Sequence, residues 1–163
     1  MGRLFSTSVN YTTTGTVDPA QYNLTTRYEY DGIGNRVAIT APLTHTTRYA
    51  YDALNRLTAI KNPLGQVTRY EYDPAGNRTA AITPLGYRTD TQYDALNRPA
   101  VIYGPVLTIG LRPTTRYEYD PVGNTIVITN PRGDVTRFGY DANDNVITQM
   151  DALNGLTQYV YDA

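Results

Sequence analysis

The stretch Thr26-Arg27-Tyr28-Glu29-Tyr30-Asp31-Gly32-Ile33-Gly34 decides the fold. From Thr26 to Asp31 the residues alternate with period two. Thr26, Tyr28 and Tyr30 fall on one face of an extended chain, and Arg27, Glu29 and Asp31 on the other. A tight turn follows. An Asp carboxylate can accept hydrogen bonds from main-chain N–H groups two or three residues on, and Gly34 tolerates positive φ. The returning residues, Val37 to Thr40, are rich in β-branched side chains and read as a second strand.

The same words recur along the chain. Tyr-Asp stands at Tyr30-Asp31, Tyr51-Asp52, Tyr72-Asp73, Tyr93-Asp94, Tyr119-Asp120, Tyr140-Asp141 and Tyr161-Asp162, at intervals of 21, 21, 21, 26, 21 and 21 residues. Two residues before each of these tyrosines come Tyr28, Tyr49, Tyr70, Thr91, Tyr117, Phe138 and Tyr159. The residue before those is Arg27, Arg48, Asp90 or their equivalents, and Thr precedes it every time. Three residues after each Asp stand Gly34, Asn55, Gly76, Asn97, Gly123 and Asp144. A second turn closes each unit, as in Asn62-Pro63-Leu64-Gly65 and Asn130-Pro131-Arg132-Gly133. Pro at the second place of a turn removes no ladder hydrogen bond. Each unit therefore makes two strands and two turns, and seven units predict about fourteen strands in an antiparallel meander.

The pattern Tyr-x-Tyr-Asp-x-x-Gly/Asn-Arg-Leu, as in Tyr49 to Leu57, resembles the YD-repeat (Rhs-repeat) family over essentially the whole chain. The resemblance implies hairpins joined edge to edge into a long spiralling sheet, the sheet that forms hollow shells in polymorphic toxins, insecticidal toxin complexes and teneurins. It also implies an encapsulated polypeptide as a partner. The autoprocessing motif of the family, Asp-Pro-x-Gly-Leu, does not occur in these residues, and no plug or variable toxin domain is seen.

Composition narrows the function classes. The chain has 163 residues, 14 Lys+Arg, 15 Asp+Glu and a net charge of −1. Nucleic-acid binders carry a clustered basic excess, so nucleic acid is not an expected partner. With no Cys and one His, disulfides, thiolate zinc sites, Cys nucleophiles and His pairs are excluded. No window has the roughly 18 apolar residues of a membrane span. Sixteen of the aromatic residues are Tyr, two are Phe and none is Trp, which is one hairpin written many times.

Candidate chemistry reduces to structure. The seven repeat Asp residues recur where a turn needs an acceptor. Asp141-Ala142-Asn143-Asp144-Asn145 resembles the start of a calcium loop but has Val146 and Ala152 where an EF-hand needs Gly and Glu. His45 lies in a turn without a triad partner. The Arg/Glu ladder, as in Arg69 with Glu71 and Arg116 with Glu118, suggests cross-strand ion pairs. The tyrosine stripe is read as packing first and as a platform for glycans second. Asn10, Asn23 and Asn77 begin weak glycosylation sequons. No cofactor, metal or catalytic residue is expected.

Two excursions interrupt the period, at 5–22 and at 103–113. The second carries Val106, Leu107, Ile109 and Leu111, which either form an exposed interface patch or turn inward as a plug. The ends also fit each other. Tyr161-Asp162-Ala163 followed by Met1-Gly2-Arg3-Leu4 completes the motif, so head-to-tail continuation or self-association of Asp162-Ala163 onto Met1-Gly2 is expected. The fold expected is all-β: one array over 1–163, with no separate globular domain, coiling into a β-solenoid or spiral tube that continues beyond both ends. The function expected is a structural, non-enzymatic filament or tube, extracellular or on the cell surface. The alternatives are the wall of a toxin-encapsulating shell and a carbohydrate-binding adhesin module.

Overall fold

The computed structural model describes residues 4–9, 24–106 and 110–162. In chain order the strands are β1 (Leu4–Val9), β2 (Leu24–Tyr30), β3 (Arg36–Thr40), β4 (Thr46–Tyr51), β5 (Leu57–Lys61), β6 (Val67–Tyr72) and β7 (Arg78–Ile82). They continue with β8 (Arg88–Tyr93), β9 (Pro99–Tyr103), β10 (Thr114–Tyr119), β11 (Thr125–Thr129), β12 (Val135–Tyr140), β13 (Val146–Met150) and β14 (Leu156–Gln158). Strand order is chain order, and the sheet is not closed. Among the described residues the one helical segment is the 3-10 turn Pro42–Thr44. The chain divides into two compact units, Met1–Glu71 with Ile82–Leu85 and Tyr72–Ala81 with Gly86–Ala163.

The excursion expected at 5–22 begins as a strand instead of a loop. β1 pairs antiparallel with β2, with Phe5 opposite Tyr28. Residues 10–23 lie outside the described residues.

Both kinds of turn have one geometry. In the Asp turns, the N–H of Asp52 donates to the carbonyl of Arg56 at 3.0 Å, and the N–H of Asn55 donates back to the carbonyl of Asp52 at 3.0 Å. The same pair of bonds closes the opposite side of the sheet, at Asn62 with Gln66 and Gly65, and at Asn130 with Asp134 and Gly133. This is a type I turn followed by a left-handed residue, a common three-residue hairpin loop. The left-handed place is held by Asn at φ 61–63° in Asn97 and Asn55, and by glycine at 96–109° in Gly76 and Gly123. The second range lies beyond the left-handed well of L residues, so glycine is favoured there.

A β-bulge follows each Asp turn whose register is defined, a feature the alternation alone does not announce. Glu29 lies opposite Ala38, but Tyr30 lies opposite Arg36, which leaves Val37 as the extra residue. Thr58, Ala100, Ile126 and Ile147 are the extra residues of the later hairpins. Bulges increase local twist and bend the strand.

Between hairpins the pairing is short. β3 and β4 share only three partners, from Ala38 with Arg48 to Thr40 with Thr46. The start of β3 therefore splays from β4, and its carbonyl needs another donor. The tyrosine of the next Tyr-Asp provides it. The hydroxyl of Tyr51 donates to the carbonyl of Arg36 at 3.1 Å, and Tyr93 does the same to Arg78 at 3.0 Å. Tyr119, Tyr140 and Tyr161 donate to Pro99, Thr125 and Val146, each at 2.8 Å.

The sheet has little conventional core. Among the described residues only Ala38 and Ala80 are buried. Ala38 lies opposite Glu29 on one side and Arg48 on the other, and their stems cover it. Tyr28, Tyr49, Tyr70, Tyr72, Tyr117, Phe138 and Tyr140 are half-buried, whereas Arg48, Arg69 and Arg116 on the alternate face are exposed. With one domain face this open, the tyrosine–carbonyl bonds carry unusual weight. Tyr140→Phe removes the donor from Thr125 while keeping the ring. It should lower the unfolding free energy by about 1 kcal/mol, read as a lower urea midpoint by circular dichroism at unchanged slope.

Candidate functional site

The turn carboxylates are fully engaged. The Oδ1 of Asp52 accepts from the N–H groups of Leu54 at 2.9 Å and Arg56 at 3.0 Å, and its Oδ2 accepts from Arg56 Nε at 2.7 Å. Asp94 is bound in the same way by Leu96 and Arg98. At Asp31, Asp73, Asp120 and Asp141 the Oδ2 partner is the amide of Asn35, Asn77, Asn124 or Asn145, at 3.0–3.2 Å. The sequence pointed to donors two or three residues on. The fourth residue on is the more constant partner, and it holds both oxygens.

These bonds hold the carboxylates below their ordinary range. For Asp52 and Asp94 the main-chain N–H of the Arg four residues on is the largest cause, and for Asp73 and Asp141 the Asn side-chain amide is. At Asp31 and Asp120 partial desolvation pushes upward most strongly, but the several donors together outweigh it. A carboxylate held low is a poor general acid, and Asp31, Asp52, Asp73, Asp94, Asp120 and Asp141 organise their turns instead.

The longer excursion is fastened to the one repeat that departs from the pattern. The fourth repeat has Asp90 where five of the others have Arg and the seventh has Gln158, and Thr91 where all the others have Tyr or Phe. Asp90 receives Arg112, whose Nη2 lies 2.5 Å from Oδ2, and Arg88, whose Nε lies 2.7 Å from Oδ1. Partial desolvation of Asp90 pushes its carboxyl up, and the two guanidinium groups outweigh this and hold it low. Arg112 also donates through Nε to the carbonyl of Gly104 at 2.9 Å and through Nη2 to that of Tyr103 at 3.2 Å, with its guanidinium 5.4 Å from the Tyr103 ring centre. The neck of the loop is closed by the N–H of Gly104 on the carbonyl of Pro113 at 2.7 Å. A Cβ at Gly104 would meet the Pro113 ring at 3.4 Å, a close fit that favours glycine.

Beside this clamp lies an open groove of about 790 Å³, lined by Tyr93 and Tyr103 with Asp73, Asn77, Gln92, Asn97 and Arg112 among its polar walls. Of the four apolar loop residues, Val106 is 57% and Leu111 66% exposed. Both side chains are exposed. Leu107 and Ile109 lie outside the described residues, as do Met1, Gly2 and Ala163 of the end-to-start fit. Tyr159, Tyr161 and Asp162 are exposed.

The remaining candidates have ordinary structural roles. Asp141 accepts from the N–H groups of Asn143 and Asn145, both at 2.9 Å. Among the described residues no group of three or more His, Asp or Glu is placed to hold a metal ion. No helix among them is long and apolar enough to cross a membrane. His45 is an exposed turn residue. Ion pairs among the described residues include Arg56 with Asp52 and Arg98 with Asp94 at the turns, and Arg88 and Arg112 with Asp90 at the loop clamp.

A family model described as RHS Repeat matches residues 30–65, 51–87 and 119–151, together more than half of the chain. No curated protein matches the chain in sequence. Among solved structures the fold is similar to the TcdB2-TccC3-Cdc42 crystal structure, with a TM-score of 0.70 at 20% identity over 90% of this chain. It is similar to the Photorhabdus luminescens Tc holotoxin pore carrying TccC3-D651A, with a TM-score of 0.68 at 20% identity over 90% of this chain. TcdB2-TccC3 without its hypervariable C-terminal region gives 0.69 at 21% identity, again over 90%. The chain spans 8% of the length of each of these neighbours. The likeness is one of fold.

Two tests follow from the site. Arg112→Ala frees Asp90 and the loop carbonyls, so hydrogen exchange at 104–106 and 110–113 should speed up at least tenfold, while the strands beyond β10 exchange as before. Arg112→Lys should not restore protection, because one ammonium cannot reproduce the fork. The lowered carboxylates also set a pH response. Their stabilisation is complete above the unfolded carboxylate value of about 3.9 and is lost as pH falls through the lower folded values. The urea midpoint should stay level from about pH 7 to about pH 5 and decline below about pH 4.

Proposed function

The chain belongs to the RHS repeat family, and on that premise we propose that it is a structural, non-enzymatic stretch of β wall in a larger extracellular assembly. One observation carries this reading. The polar groups that could build a reactive site are consumed in joining each hairpin to the next, by Tyr hydroxyls on carbonyls and by Asn or Arg side chains at the turns. Such an array favours extension, because its edge strands present unpaired main-chain groups. In a shell, the partner would be an enclosed polypeptide. In a filament, it would be further copies of the same array. Support for the shell comes from the fold shared with the TcdB2-TccC3 structures.

Electron microscopy of the full-length native protein tests the reading. Hollow particles bounded by a wall one sheet thick are expected. Long fibres would replace the shell with the head-to-tail filament, and a solid globular particle would remove both.

A second reading, binding of neutral saccharides, is favoured by the groove beside Tyr93 and Tyr103. Its volume falls within the range of ligand sites, and amides and hydroxyls that both donate and accept suit sugar hydroxyls. A glycan array probed with the full chain checks it. Retention that is lost in Tyr103→Ala supports the groove, and no retention by the parent chain eliminates it.

A further inference from the structure

The Asp turns are of two kinds, and their order is not random. Counting the Asp as the first place, Asp31, Asp73 and Asp120 have Gly at the fourth place and Asn at the fifth. Asp52 and Asp94 have Asn at the fourth and Arg at the fifth, and Asp141 has Asp and Asn. The fifth-place residue of one turn reaches the next turn in the sheet. Asn35 Nδ2 donates to Asn55 Oδ1 at 3.1 Å, Asn77 Nδ2 to Asn97 Oδ1 at 2.7 Å, and Asn124 Nδ2 to Asp144 Oδ1 at 2.7 Å. In each case the other amide hydrogen goes to the residue's own Asp.

Where the fifth place is Arg, the next fourth place is Gly: Arg56 precedes Gly76, and Arg98 precedes Gly123. A glycine offers no side-chain acceptor. The longer Arg98 instead reaches the main-chain carbonyl of Asp120 at 3.2 Å and lies with its guanidinium 4.4 Å from the ring centre of Tyr119. The shorter Asn side chain does not extend as far. In the sequence, all five successive turn pairs follow one of these two pairings.

We propose that these two places form a junction code, in which a short amide demands a side-chain acceptor in the next turn and an Arg demands a glycine, and that this code fixes which hairpin can follow which in the sheet. The residues are positioning residues. The code is separate from the shell or filament question, since it acts between neighbouring hairpins in either assembly. It also links the alternation of Gly and Asn at the left-handed place to the preceding turn, alongside the wider positive φ that favours glycine at Gly76 and Gly123.

A double-mutant cycle on the full chain tests it. Arg98→Asn alone creates an Asn facing Gly123, and Gly123→Asn alone sets an Asn before Arg98. Both should reduce the folding equilibrium constant. The pair Arg98→Asn with Gly123→Asn recreates the Asn35–Asn55 type of junction. It should be at least about tenfold more stable than the product of the two single effects. Additive effects would overturn the code, because each new residue already occurs at its place elsewhere in the chain and intrinsic turn preference would then suffice. If Arg98→Asn does not fold alone, the converse cycle of Asn77→Arg with Asn97→Gly serves. There the rescue appears as recovery of the cooperative unfolding transition in the double variant, and its failure to recover counts against the code.

Discussion

At Tyr51, Tyr93, Tyr119, Tyr140 and Tyr161, a hydrogen bond from the Tyr-Asp tyrosine to the first carbonyl of the preceding return strand ties the hairpin to its neighbour. It exists because two geometric demands collide at one point. The bulge after each Asp turn bends the return strand, and pairing with the next hairpin stops after three residues. A main-chain acceptor is left facing a gap too wide for a ladder bond, and an exposed or unsatisfied carbonyl there would loosen the sheet. A phenol spans the gap, filling it with a ring and placing a donor at its end. Phenylalanine would fill without bonding and serine would bond without filling, which explains why this place is Tyr in all seven repeats. The two-residue-earlier place accepts Phe138 and Thr91.

The rest of the architecture is arranged around that tie. A sheet with only two buried alanines among the described residues cannot rely on a packed interior. Its stability is distributed along the array as repeated local bonds: carboxylates that organise turns, hydroxyls that cap carbonyls, amides and guanidinium groups that connect turns. Repeat proteins in general derive stability from such nearest-neighbour terms. Among the described residues the loop held by Arg112 on Asp90 departs from this pattern. Two exceptions in the repeat, Asp90 and Thr91, fall in the hairpin that carries that loop. Asp90 reverses the charge of the usual Arg so as to receive a guanidinium.

Much of this was legible in the sequence. The period of 21 located the Tyr-Asp turns, and alternation placed Tyr28 and Arg27 on opposite faces. Positive φ at Gly34, Asn55 and Asp144 follows from residue type. Turn chemistry is local, acting over four or five residues, so it can be read from a short window. The bulges could not be read that way. Val37 and Thr58 look like any β-branched strand residue, and only the pairing with the partner strand reveals one residue too many. The strand at Leu4–Val9 was likewise hidden, since it lacks a Tyr-Asp pair of its own and is recruited by β2.

By itself the sequence determined the antiparallel meander, the positions of its turns and the absence of thiol or multi-histidine chemistry, because these depend on composition and on contacts near in the chain. Tertiary structure decided what the exceptions are for. That Arg112 belongs with Asp90, 22 residues away, and that Asn77 answers to Asn97, 20 residues away, depends on which side chains meet across strands. Those meetings are set by register and by the bulges. A one-dimensional pattern holds both partners without saying that they touch.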